Sequence, residues 1–334
     1  MGTTKKFDAK TFVLNYALYV ILAFIILGII LYDPDFLKMS NFLKIVQQAS
    51  TRAILALGIG GLIILQGTDL SAGRVLGLCA AASASLLQRS DFASRMYPGI
   101  EDMGLFLPFI IAIVIGALFG LFNGFGVSLL KIHAFIVTLA TQLIAFGLIN
   151  LYVNSQKGGA QPIGTLKPEY LNLAQGSFLF IPNLIWFLVI ISLIMWFIWN
   201  KTTLGKNMYA IGGNMEAAKV SGINVVRNIM LIYLISGILY GIAGFLEGAR
   251  IGSVNPNTGF SYELDAISAC VVGGVSFNGG VGTIPGVIIG ALILQVINFG
   301  LNFIQLDPNI QYIVRGAIIV IAVAIDVIKY TKKR

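Results

Sequence analysis

The chain has 334 residues, with a single histidine, two cysteines and 14 carboxylates, and these set the chemistry open to it. One histidine excludes a multi-histidine metal site or a haem held between helices. His133, just after Lys131 at the start of an apolar stretch, reads as a loop-facing residue. Cys79 and Cys270 lie in runs of small or apolar residues without disulfide spacing, so both are expected to pack. Asp69, Glu247, Glu263 and Asp265 lie at or near apolar stretches. At mid-membrane an ionised carboxylate costs about 2.5–3.5 kcal/mol on insertion scales, so each needs a partner. Asp69 or Ser71 can cap the helix that follows, with Arg74 nearby to compensate. Glu263 and Asp265 open a helix expected over 264–277, where acids meet the positive end of the dipole. Glu247 is expected to pair with Arg250, one turn on and near the outer surface. A role in a gate or contact loop is the alternative for Asp69, Ser71, Arg74, Glu263 and Asp265. No carboxylate pair, Ser–His–Asp set or metal cluster emerges, so no catalytic residue, metal or cofactor is expected.

Neutral polar residues form a second group: Asn123, Thr138, Thr141, Gln142, Asn150, Gln295, Asn298 and Asn302 all lie inside apolar spans. An uncharged sugar needs amide and hydroxyl partners of this kind, although such residues also hold helices together. Asn123, Thr138, Thr141, Gln142 and Asn298 are therefore the candidates for a substrate path. The chain has no Gly-x-x-x-x-Gly-Lys-Ser/Thr phosphate loop, so ATP-driven work here would need another polypeptide to hydrolyse the ATP.

The elements that must position these residues follow from composition. Hydrophobic residues make up 57% of the chain and charged residues 11%, whereas soluble domains are about 25% charged. So little charge cannot cover a soluble surface, and the class is an all-α polytopic membrane protein. Long apolar stretches fall at 13–32, 105–130, 132–153, 179–199, 228–249, 283–306 and 310–328, with shorter or interrupted ones at 53–66, 75–88 and 264–277. That makes about ten transmembrane helices; 53–88 reads as two spans or a re-entrant pair. The first stretch lacks a cleavage site and reads as a retained anchor. Placing both termini, 67–74, Lys131, 200–227 and 276–282 on one side gathers 13 Lys/Arg against 4 acids there, leaving 9 against 10 on the other. The positive-inside rule makes the first side, and both termini, cytoplasmic. The net charge of +8 thus reflects loop placement and not a nucleic-acid surface.

Glycines recur at spacing four, in Gly116/Gly120/Gly124, Gly237/Gly241, Gly244/Gly248/Gly252 and Gly286/Gly290, as close helix packing requires. Two glycine-rich interruptions, Gly67–Gly73 and Phe277–Gly286, break short segments in each half and point to an inverted internal repeat. The longest inner loop, about 200–227, carries a turn at Gly212-Gly213-Asn214, a short helical run from Met215 to Val220, and a stop at Gly222.

Within that loop "GGNMEAAKVSGINV" resembles the glutamate–alanine–alanine loop of ABC-importer permeases. "GTDLSAGR" at 67–74 and "ELDAISACVVGGVSFNGGVGT" at 263–283 resemble two further signatures of the monosaccharide branch of that family. The likeness runs from about residue 15 to 330. It is nearer to permeases for galactose and methyl galactoside than to ribose-type relatives, which usually carry Ile-Asp-Leu-Ser-Val-Gly where this chain has Thr68-Asp69-Leu70-Ser71-Ala72-Gly73. Many relatives have proline where Met215 stands. The resemblance implies one transmembrane permease domain over 1–334, in a homodimer in the bacterial inner membrane among its lipids. An ABC ATPase subunit would dock on Gly213, Asn214, Glu216, Ala217, Ala218 and Gly222, and an extracytoplasmic sugar-binding protein would deliver a monosaccharide. Galactose or methyl galactoside is the first reading and ribose or another monosaccharide the alternative. An ion-coupled sugar carrier with a proton site at Asp69, Glu263 or Asp265 is the competing class. A membrane-embedded enzyme has no catalytic constellation to support it.

Overall fold

A chain this apolar has to satisfy its backbone polar groups within each segment, and helices do so. The computed structural model describes residues 22–100, 103–156 and 161–331. Its helices are α1 (Leu22–Tyr32), then α2 (Met39–Ile64), α3 (Ala72–Leu86), α4 (Phe106–Ser128), α5 (Ala134–Asn154), α6 (Pro168–Gln175), α7 (Asn183–Lys201), α8 (Thr203–Gly213), α9 (Met215–Val220), α10 (Val225–Ile251), α11 (Tyr262–Val272), α12 (Ile284–Phe303) and α13 (Pro308–Thr331). A small hairpin pairs Ser177–Phe178 with Ile181–Pro182. Among the described residues, each apolar stretch expected from the sequence falls on a helix, and α4, α5, α7, α10 and α12 are each long and apolar enough to cross a membrane. The amino-terminal lysines and the last three residues lie outside the described residues.

Three expected boundaries change: the helix expected over 264–277 runs Tyr262–Val272, Gly212 and Gly213 end helix α8 and do not form a turn, and the start of α2 moves. The stretch at 53–66 is the second half of a continuous 26-residue helix, α2. Gln47, Gln48, Thr51 and Arg52 lower its hydropathy without interrupting it, because each finds a partner on a neighbouring helix or loop. Gln47 donates to the Ala174 carbonyl at 2.8 Å, Gln48 accepts from Gln295 at 2.9 Å, and Thr51 donates to Glu247 at 2.7 Å. Arg52 donates to Gln295. By contrast α3, with 15 residues, and α11, with 11, are short helices that begin inside the bundle.

The bundle's order is set by where glycine lets backbones meet. A Cβ on Gly116 would collide with the Gly237 carbonyl, one on Gly237 with that of Gly116, and one on Gly120 with that of Tyr233. Gly241 meets Ala112 in the same way, so α4 and α10 touch backbone to backbone. Gly244 sits against Leu76 of α3, and Gly290 against Ala269 of α11. Spacing-four glycine is thus a packing device here. Cys79 and Cys270 are fully buried free thiols among these contacts.

Packing also reveals the repeat. Helix α3 packs on α10 as α11 packs on α2, and α4 on α10 as α12 on α2; the α3–α4 and α3–α5 contacts recur as α11–α12 and α11–α13. Exchanging α2–α5 with α10–α13 preserves the pattern, and the two sets run in opposite directions. The break equivalent to residues 65–71 is therefore 252–261, not the glycine-rich stretch at 277–286. That stretch joins α11 to α12 and corresponds to the α3–α4 connection. Its glycines are needed for turns, with positive φ at Gly279 and Gly280.

Gly237→Leu should wedge α4 from α10 and destabilise the fold by about 1–3 kcal/mol or more. Gly147→Ala, where an added Cβ meets nothing within 4 Å in the interior of α5, should be neutral or stabilise by up to about 1 kcal/mol. Unfolding of both variants in detergent measures the difference.

Candidate functional site

Two helices start inside the protein and face each other. Gly73, in the first turn of α3, has no room for a Cβ because Glu263 and the Gly259 carbonyl fill the space, and Gly259 itself has φ +79°. Each helix start exposes unpaired N–H groups and the positive end of a dipole, and each has carboxylates beside it. Asp69 is fully buried and accepts from the Ser71 N–H at 2.8 Å and from Ser71 Oγ at 2.6 Å. The expected side-chain cap of α3 is not made: Asp69 closes a turn onto Ser71, and Ser71 occupies the cap position without a capping bond. The Asn123 amide donates to Asp69 Oδ2 at 3.2 Å and to Ser71 Oγ at 3.0 Å, and Thr141 donates to Asn123 Oδ1 at 2.6 Å. Asp69, Ser71, Asn123 and Thr141 thus form one closed network joining the start of α3 to α4 and α5. Thr138 is buried too and donates to the Ala134 carbonyl of its own helix at 2.8 Å.

Arg74 does not compensate Asp69 as expected. Its guanidinium lies between the rings of Phe146 and Phe260, 4.4 and 4.8 Å from their centroids, and donates to the Pro256 carbonyl at 3.0 Å. It is an interior residue, 6% exposed, and not a loop charge. Gln142 donates to Glu263 Oε1 at 3.2 Å, which ties α5 to the start of α11. Glu263 is therefore bound from α5 and pressed on α3, while Asp265 faces the other way, 3.6 Å from Arg52.

Glu247 pairs with Arg250 as expected, through bonds of 2.8 and 2.7 Å, and is itself completely buried while Arg250 stays partly exposed. It also accepts from Thr51 and from the Tyr262 hydroxyl, each at 2.7 Å. The Arg52 guanidinium lies 4.7 Å from the centre of the Tyr262 ring. These bonds lock α2, α10 and α11 together. The two Glu247 oxygens thus accept four hydrogen bonds, two of them charge-assisted bonds from arginine.

At the basic end of the bundle, α8 and α9 carry the loop singled out by its sequence. Asn214 caps α9, accepting from the Ala217 N–H at 2.9 Å, and Gly222 ends it with φ +83°. Glu216 and Ala217 are exposed with Gly213 and Asn214, whereas Ala218 is buried against the protein. Behind this surface α8 is fastened to the bundle. Gln66 donates to the Gly212 carbonyl at 2.8 Å and to that of Asn278 at 3.0 Å. Gly280 donates to the Ile64 carbonyl at 2.9 Å, and Tyr209 to that of Gly282 at 2.9 Å. A Cβ on Gly212 would collide with the Ile64 carbonyl.

Arg52, Gln66 and Tyr209 escaped sequence reading. Gln48, Thr51 and Arg52 share one face of α2 at spacings of four and three, a pattern that marks a polar seam. Gln66 and Tyr209 carried no comparable signal, since their partners are backbone carbonyls distant in sequence. His133 behaves as a helix-start residue, its Nδ1 accepting from the Phe135 N–H at 3.3 Å. No group of three or more metal-ligating side chains occurs among the described residues.

Residues 41–323 match the family described as branched-chain amino acid transport system / permease component. The chain is 46% identical, over 338 aligned residues covering 100% of each, to the galactose/methyl galactoside import permease protein of Escherichia coli (strain K12). The protein of the same name from Haemophilus influenzae is 48% identical over 323 residues, 95% of each chain. The ribose import permease protein of Escherichia coli (strain K12) is 37% identical over 298 residues, 88% of each. No solved structure matches the chain.

Asp69→Ala strands the Asn123 amide and the Ser71 N–H in the interior and should cost about 1–3 kcal/mol of stability. Because both residues serve one network, Asp69→Ala with Asn123→Ala should cost less than the sum of the two, by about 0.5 kcal/mol or more. Additive losses in detergent unfolding would contradict the network.

Proposed function

The chain belongs to the branched-chain amino acid transport system / permease component family, and on that premise we propose that it is the membrane subunit of an ATP-driven sugar importer. Its cargo is galactose or a methyl galactoside, the sugars named for the relatives at 46–48% identity across nearly the whole length. Residues 1–334 act as one permease domain, paired with a second copy in the bacterial inner membrane. An extracytoplasmic sugar-binding protein delivers the cargo, and a separate ABC ATPase supplies the work.

The observation that carries this reading is the build of α8 and α9. An exposed capped helix presents Glu216 and Ala217, while the segment behind it is bonded to the end of α2 and to the 276–282 turn. A force applied to α9 by an ATPase reaches α2 through Gly212 and Gln66. From there it runs along an unbroken helix: Thr51 and Ile64 are 13 residues apart on α2, about 20 Å at 1.5 Å per residue. Thr51 holds Glu247, and through it Arg250 and Tyr262 at the start of α11. Motion at the ATPase is thus delivered to the two helix starts in mid-bundle, where a path between two protomers opens to one side or the other. Asp69, Ser71, Arg74 and Glu263 set the register of that hinge, with Asn123, Thr138 and Thr141 positioning it from behind. Of the polar set, Gln142, which is part-exposed, and Asn298, which is buried, are assigned to the substrate path.

Glu216→Lys should leave membrane insertion unchanged and lower ATP-dependent galactose uptake at least tenfold, with a matching loss of ATPase co-purification. Uptake undiminished in proteoliposomes holding the variant, its ATPase and its binding protein would refute the docking role.

A further inference from the structure

The small hairpin ahead of α7 runs against ordinary turn chemistry. Pairing of Phe178 with Ile181 leaves a two-residue tip, Leu179-Phe180, with φ of +52° and +63°. Positive φ at both positions is the type I′ turn, which favours Asn-Gly because a bulky L-residue is crowded there. This chain puts two large apolar residues at the tip, and they fill no space within the protein: Leu179 is 67% exposed and Phe180 95%. Phe178 beside them is 62% exposed. The base of the hairpin is held firmly. Asn183 donates its N–H to the Gly176 carbonyl and its side-chain amide to the Asn172 carbonyl, each at 2.9 Å. A strained turn that presents apolar side chains outward calls for a partner outside the protein.

We propose that this tip is a membrane anchor, seated among the lipid headgroups and upper acyl chains at the start of α7. Helix α7 supplies the frame. Its 19 residues span about 28 Å at 1.5 Å per residue, close to the roughly 30 Å of a bilayer's hydrocarbon core. It ends at Lys201, where the basic end bearing α8 and α9 begins. Its start, with the hairpin before it, therefore lies at the opposite membrane–water boundary. Leu184, Leu188, Met195 and Trp199 of α7 are buried against the bundle. Trp186, Ile190, Leu193 and Phe197, at spacings of four, three and four, take the opposite face, and the last three are exposed there. Phe178 packs edge-on against Trp186, ring centroids 6.3 Å apart, and its carbonyl accepts from the Trp186 indole N–H at 3.3 Å. The hairpin is thus held beside the first turn of α7 on its lipid side. Aromatic residues at that level are what the bilayer interface accepts. A charged protein surface would find little to recognise, since no charged residue occurs between Glu169 and Lys201. The proposal requires only that the chain spans a membrane, whatever its cargo.

The test places a thiol at the tip of the full-length chain in phosphatidylcholine vesicles, as Phe180→Cys, with Asp91→Cys as reference. Asp91 lies at the same end of the bundle, its side chain 64% exposed, where the Arg89 N–H donates to the Thr165 carbonyl. Cys79 and Cys270 are buried. A charged thiosulfonate should modify the Phe180→Cys thiol at least tenfold more slowly than the Asp91→Cys thiol, although the tip is the more exposed of the two in the protein alone. A bimane on the Phe180→Cys thiol should be quenched at least twofold more by nitroxide high on a lipid acyl chain than by nitroxide at its methyl end, and less by aqueous iodide than by either. Equal modification rates, or quenching by iodide in place of lipid nitroxide, overturn the proposal. So does protection that arises only when loaded sugar-binding protein is added, which would make the tip a protein contact. Leu179→Asn with Phe180→Gly supplies the residues the turn favours and should raise thermal stability in detergent. Lowered stability would assign the tip to packing and overturn the proposal as well.

Discussion

The structure depends on two helix starts buried face to face. Helices α3 and α11 begin inside the protein, where their free N–H groups have no water to turn to. Opposed positive ends repel unless negative charge stands between or beside them, and Asp69 and Glu263 supply it. Close approach requires Gly73 and Gly259, which no larger residue could replace without moving a helix. Asp69 is then held from α4 and α5 through Asn123 and Thr141, and Glu263 from α5 through Gln142. The surrounding helices are thereby placed by polar bonds, in a medium where apolar contact alone discriminates little between arrangements.

Function follows from tying this centre to one end of the bundle. Helix α2 is long, continuous and bonded at both ends: to Glu247 through Thr51, and to Gly212 and Gly280 through residues 64 and 66. The inverted packing of α2–α5 and α10–α13 means that a tilt of one set changes the other through the same contacts in mirror order. Inverted repeats of this kind are the architecture on which many transporters build alternating access.

Much of this was legible in the residues. Hydropathy located the helices, charge asymmetry marked the end bearing α8 and α9, and spacing-four glycine identified the closest contacts. Asn214, Glu216 and Gly222 spelled out a capped helix with a stop. What escaped had a common cause: polar residues on a span have partners that only tertiary structure reveals. Arg52, Gln47 and Gln48 made α2 look short because hydropathy scores a satisfied polar group as it scores a stranded one. Arg74 looked like a loop charge near Asp69 and instead lies between two aromatic rings. The true partner of the first helix break, at 252–261, has less glycine than the stretch at 277–286 and so was passed over.

The most direct measurement is the accumulation of labelled galactose in proteoliposomes that contain this chain, its ATPase and external loaded binding protein, followed while internal ATP is withdrawn and a proton gradient is imposed or collapsed. Accumulation should stop when ATP is removed and ignore the proton gradient. Accumulation that persists without ATP and collapses with a protonophore would contradict an ATP-driven permease and place the work on a titrating carboxylate.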